Sequence, residues 1–147
     1  MNVKTKQRKS GFTLVELLVV VAIIALLVTA IVASFENAKA KARDAERVSE
    51  INSINTALGF YHNDYNMYPI YEGYITGSDT LSEALKATGY INTIPTDPTD
   101  RDSTECGALS GYHYYYQSTD GKEYILGFCL ETNSLHGRVK GDNYLSP

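Results

Sequence analysis

Lys9-Ser10-Gly11-Phe12-Thr13-Leu14-Val15-Glu16-Leu17-Leu18-Val19-Val20 opens an apolar run that continues to Ala33. Phe12 to Ala33 is 22 residues, and Glu16 is the only charged one among them. At 1.5 Å rise per residue the run makes a helix of ~33 Å, long enough to cross the hydrocarbon core of a bilayer. A carboxylate within such a segment costs roughly 2.5–3.5 kcal/mol at a helix centre and less towards an end. Glu16 therefore calls for a function. A carboxylate that snorkels to the headgroups, or one protonated in the lipid, is the alternative reading.

Charge orients the segment. Lys4, Lys6, Arg8 and Lys9 precede it without an acid, whereas Ser34 to Glu50 balances Glu36, Asp44, Glu46 and Glu50 against Lys39, Lys41, Arg43 and Arg47. The excess of basic residues before the span predicts a cytoplasmic N-terminus and an exported body. The formal net charge of −4 hides this asymmetry, since residues 51–147 hold twelve acidic residues and five basic ones. An acidic body with no broad basic patch argues against nucleic acid as a partner. Cys106 and Cys129 have 22 residues between them, unlike the close pairs of zinc or redox sites. In an exported body they read as one disulfide, and two unrelated buried thiols are the alternative.

Three readings of the N-terminus compete. A cleaved secretory signal has a shorter apolar core, although Val32-Ala33-Ser34 and Ala38-Lys39-Ala40 offer small-residue cut sites. An uncleaved anchor explains the length. Neither explains Gly11 or Glu16. Gly11-Phe12-Thr13-Leu14-Val15-Glu16-Leu17, with its basic leader and apolar continuation, resembles the class III leader junction of type IV pilins and type II secretion pseudopilins. The resemblance implies that a prepilin peptidase cuts between Gly11 and Phe12 on the cytoplasmic side. It implies N-methylation of the new terminal Phe12 and a role for Glu16 in assembly. It also implies sister subunits and an inner-membrane assembly platform as partners.

The chemistry is consistent with that family. Glycine lets a protease hold the junction extended. Cutting there removes the leader charges and frees an amine that can meet a neighbour's Glu16 carboxylate, a pairing far stronger in a low-dielectric core than in water.

Downstream, Phe35, Ala38, Ala42, Ala45, Val48, Ile51, Ile54, Leu58 and Tyr61 recur at three- and four-residue spacing and predict one helical stripe. Glu36/Lys39, Lys41/Asp44, Arg43/Glu46 and Arg47/Glu50 predict surface pairs along the same helix. One helix from Phe12 to about His62 is expected, weakened locally at Gly59. No proline occurs before Pro69, a departure from proteobacterial relatives that often carry one within the apolar half. Tyr61 through Tyr68-Pro69 resembles the ending of the long helix in the major-pseudopilin-like group.

Thr80-Leu81-Ser82-Glu83 reads as a capping box for a short helix stopped by Gly89. Residues before Pro95 and Pro98 are expected to be extended. Tyr112–Gln117 and Tyr124–Leu130 read as strands joined through Asp120-Gly121, with a further strand near Leu135–Val139. The alternation places Tyr112, Tyr114 and Tyr116 on one strand face and His113, Tyr115 and Gln117 on the other, and one of the two faces is expected to pack on the helix while the other forms an inter-subunit contact. Adhesion through tyrosines remains a second use of that composition.

Asp97, Asp100 and Asp102, with Glu105, share one loop and are calcium candidates, because such oxygen donors suit that ion. The major-pseudopilin continuation of that loop is missing after Asp97-Pro98-Thr99-Asp100, and a solvated acidic loop is the plainer reading. No cofactor is otherwise implied. His62, His113 and His136 stand far apart, and no nucleophile, P-loop or zinc motif appears, so no enzymatic activity is expected.

The expected architecture is α+β and pilin-like, a long N-terminal helix whose first half spans a membrane, packed on a small antiparallel head. Residues 1–11 form a leader, 12–33 the membrane and assembly half, 34–64 the amphipathic half and 65–147 the head. The expected function is that of a filament subunit of a type IV pilus or a type II secretion pseudopilus. A monomeric anchored binding module, or a secreted enzyme, is the alternative.

Overall fold

The computed structural model describes residues 11–147. The basic leader residues Lys4, Lys6, Arg8 and Lys9 lie outside the described residues. The α+β expectation holds: a 52-residue helix, α1 (Leu14–Tyr65), precedes a head built from β1 (Tyr71–Tyr74), α2 (Thr80–Ala87), β2 (Arg101–Asp102), β3 (Gly111–Tyr112), β4 (Tyr115–Ser118), β5 (Ile125–Leu130) and β6 (Gly141–Leu145). Gly59 does not interrupt α1, and the helix ends at Asn66, which takes the left-handed conformation with φ 54°. Contacts divide the chain into two compact units, residues up to Ala38 and residues 39–147.

The first unit is the apolar stretch of α1, where no side chain of the most hydrophobic window is buried within the chain. The second unit has the core. Strands run antiparallel in the order β1-β4-β5-β6, and β2 pairs with β3 alone. Ile51, Ile54, Ala57 and Leu58 of α1 pack with Tyr114, Tyr116, Leu126, Phe128 and Leu130, and with Leu81 and Leu85 of α2. Fully burying a side chain of this kind contributes about 1.5–3 kcal/mol. On the opposite face of β5, Cys129 is bonded to Cys106 and packs with Leu109 and Tyr112. That second layer explains why β5 is apolar on both faces. Closing a loop of this length contributes roughly 3 kcal/mol in the chain-entropy description.

Four local expectations change. The N-cap of α2 is Asp79, not Thr80: its carboxylate accepts from Ser82 N at 2.9 Å and from Thr76 N at 2.7 Å. The expected strand Tyr112–Gln117 is two strands. Ser110 has φ 57°, and Gly111 passes so close to β2 that a Cβ would lie 2.4 Å from Arg101 O, so β3 pairs there and the chain re-enters the main sheet only at Tyr115. Tyr112 therefore leaves the face it was expected to share and joins the disulfide layer, while Tyr114 and Tyr116 pack in the core with α1. The last strand is Gly141–Leu145 rather than Leu135–Val139. In the latter segment Arg138 N bonds Leu135 O across a turn and Gly137 has φ 74°.

Finally, the stripe on α1 is rotated from the expected one before Val48. Phe35, Ala38, Ala42 and Ala45 are exposed, and the buried positions are Asp44 and Arg47.

Candidate functional site

Two polar constructions stand out on α1, one at its start and one at its middle. At the start, Thr13 N donates to Glu16 Oε2 at 2.9 Å and Thr13 Oγ1 donates to the same oxygen at 2.7 Å. Glu16 N in turn donates to Thr13 Oγ1 at 3.3 Å. This reciprocal capping box satisfies helix-start donors and holds the carboxylate at the N-terminal end of the helix, where the helix dipole favours negative charge. Thr13 was not singled out by the sequence reading, yet the Thr-x-x-Glu spacing was its signal. Gly11 and Phe12 lie just before the box, and Phe12 is 80% exposed. Beyond it, Leu14, Val15, Leu17, Leu18, Ile23, Ile24 and Leu26 are all exposed. A single chain thus presents a long apolar helix with one acid at its first turn.

At the middle, Arg47 and Asp44 are fully buried. The Arg47 guanidinium donates to Asp97 through Nε at 2.7 Å and Nη2 at 3.1 Å, to Asp44 at 3.0 Å and to Glu131 at 2.7 Å. It also donates to Thr99 Oγ1 and lies 4.6 Å from the centre of the Tyr112 ring. Asp44 accepts from the backbone N–H groups of Glu131 and Thr132 at 2.9 and 2.8 Å. Arg43 makes a two-point contact with Glu131 at 2.7 and 2.6 Å. The clasp thereby ties α1 to the loop after Ile94 and to the end of β5.

Electrostatics follow from these partners. Burial would lower the Arg47 pKa, but the hydrogen bonds and charges of Asp97 and Glu131 outweigh it and keep the guanidinium protonated. The Arg43 hydrogen bond, helped by Arg47 and opposed by burial, brings Glu131 down to about 2. Burial pushes the Glu50 carboxyl up against the hydrogen bond that Tyr114 donates to it at 2.5 Å. Arg43 and Arg47 thus reach partners in the head. The missed signal was positional: residues 44, 47, 51, 54 and 58 share the spacing of one helix face, so two charged residues continue the apolar seam.

The calcium candidates do not form one site. Asp97 spends its carboxylate on Arg47 and on Thr99 N and Oγ1. Asp100 and Asp102 lie against the two ring nitrogens of His113 at 2.9 and 3.3 Å, and Glu105 accepts from Tyr112 and Lys140. Among the described residues, the one grouping of three possible ligand residues is Cys106, Cys129 and Asp142, and its sulfurs are joined as a disulfide. A disulfide sulfur lacks the thiolate that binds metal.

Residues 6–32 match the family model described as the prokaryotic N-terminal methylation motif. The chain is similar to type II secretion system core protein G of Vibrio cholerae, 30% identical over 141 residues that cover 91% of this chain and 88% of the relative. It is 36% identical over 102 residues to the protein of that name in Aeromonas hydrophila, covering 63% of this chain and 69% of the relative. Against the Escherichia coli protein identity is 34% over 111 residues, covering 69% and 73%. No solved structure matches.

Proposed function

This chain belongs to the type II secretion system core protein G family, and from that premise we propose that it is the repeating subunit of a secretion pseudopilus. The relatives are named as core proteins of a type II secretion system, and this chain is read as a structural subunit. A prepilin peptidase removes residues 1–11 by cutting between Gly11 and Phe12, and Phe12 is N-methylated. Until assembly the segment 12–33 holds the subunit in the inner membrane, with the basic leader on the cytoplasmic side and residues 34–147 exported. An inner-membrane platform then passes subunits into the filament, where apolar helices exchange lipid for one another.

Glu16 sets the register. Its carboxylate sits at the first turn of α1, one helical turn from the amine that processing would create on Phe12. Pairing with the amine of the next subunit offsets the burial of both charges, and a misregistered helix would leave both uncompensated. The observation that carries this reading is the apolar, exposed first half of α1 with a single acid.

The test is the intact mass and N-terminal sequence of protein extracted from membranes. A chain beginning at N-methylated Phe12 is the expected result. An intact Met1 would indicate a plain anchor, a start near Phe35 a secreted protein, and either would overturn the proposal.

A further inference from the structure

The strand register places a row of aromatic residues across the outer face of the sheet, away from α1. Tyr74 is opposite Tyr115, Tyr115 opposite Gly127, and Gly127 opposite Tyr144. The row is therefore Tyr-Tyr-Gly-Tyr, with a notch where Gly127 has no side chain. A Cβ there would lie 3.1 Å from both Leu109 and the Tyr144 ring, which close over the notch, so their approach depends on glycine. Around it is an open groove of about 590 Å³, lined by the three tyrosines with Leu109, Gln117 and Ile125. Its size is that of a specific binding cleft. Tyr74, Ile125 and Tyr144 are each roughly half exposed.

The charged groups bonded to the groove's tyrosines are both acidic. The Tyr115 hydroxyl donates to Glu72 at 3.1 Å, and the Tyr144 hydroxyl meets Asp142 at 3.4 Å. A carboxylate thus stands beside Tyr115 and another beside Tyr144, and no lysine or arginine lines the groove. Burial first, and then Glu72, raise the Tyr115 pKa; burial and Asp142 do the same for Tyr144. His113, packed 5.1 Å behind Tyr74, is itself held between Asp100 and Asp102. Tyrosine faces attract cations through their quadrupole, and neighbouring carboxylates add to that attraction.

We infer that this groove is a docking site for a lysine- or arginine-bearing segment of a different polypeptide. A second copy is the poorer fit, because residues 51–147 carry only five basic residues against twelve acidic ones and offer few cations to such a groove. A cationic side chain entering the groove meets the Tyr115 and Tyr144 rings, whose hydroxyls are bonded to Glu72 and Asp142. The inference is independent of the filament proposal, since it concerns a monomer's surface.

The probe is pentalysine, titrated into the full chain in nonionic micelles while the rings of ¹³C-labelled tyrosine are followed by NMR. Pentalysine should shift Tyr74, Tyr115 and Tyr144 selectively, with an affinity that falls as salt rises. Tyr144→Ser and Glu72→Gln, both exposed changes, should each weaken binding about three- to fivefold, while Asp120→Asn outside the groove leaves it unchanged. Equal affinity in all three variants would reduce the effect to diffuse charge and overturn the inference. So would shifts produced by maltopentaose in place of pentalysine, which mark a glycan site, or by neither probe. Concentration-dependent shifts of these rings without any probe would assign the face to a second copy and overturn it equally.

Discussion

The two halves of α1 invert the usual relation between residue type and burial. Up to Phe35 the helix exposes leucine, isoleucine and valine, whereas from Asp44 onwards it buries an aspartate and an arginine completely. The first half is unsatisfied as a monomer and needs lipid or other subunits. The second half is satisfied within its own chain, because each buried charge meets partners supplied by the head. One helix thus carries an intermolecular surface and an intramolecular one, and each is marked by residues out of place by ordinary rules.

That contrast can be broken at either end. The largest effect is expected at Glu16: Glu16→Ala should abolish filaments seen by electron microscopy while membrane insertion and the melting of the head stay unchanged. Filaments that survive would remove the pairing mechanism. Next is Arg47→Ala, which leaves Asp44 and Asp97 buried without their cation and should cost about 3–5 kcal/mol in urea unfolding. Arg47→Lys should recover part of that loss, since an ammonium restores charge but not the planar fork.

A smaller effect separates the clasp by pH. The Glu131 carboxyl is lowered to about 2 in the fold from 4.5, so the unfolded chain binds the proton first as pH falls. Its stabilisation should be complete above pH 4.5 and disappear progressively towards pH 2. Glu50, raised by burial, moves the opposite way, so the informative measurement is the difference between the protein and Glu131→Gln across that interval. The difference should shrink on acidification. The smallest effect concerns metal: with Asp97 engaged by Arg47, EDTA should leave the melting temperature of the head unchanged. A drop restored by calcium would show that the acidic loop holds an ion.

Much of the fold was legible because it rests on periodicity and turn chemistry. The length of α1, the Gly121 turn and the shared strand face of Tyr114 and Tyr116 follow from local patterns. The capping of α2 was misplaced by one residue because Asp79 and Thr80 are both competent caps, and only the backbone at Asp79 selects between them. The polar clasp was missed for a different reason. Arg47 three residues before Glu50 looks like a solvated helix pair, and nothing local reveals that Asp97 and Glu131 arrive on that face from 50 and 84 residues away.

By itself, the sequence determined the match to the N-terminal methylation motif, the apolar half of α1, its single acid and the α+β class. All of these depend on neighbours within a few residues or on a run of one chemistry. The tertiary structure decided which charges are buried, which strand Tyr112 joins, where Asp97 spends its carboxylate and how Gly127 notches the tyrosine row. Each of these needs two distant segments in one place, where desolvation makes a paired charge tolerable and an unpaired one prohibitive.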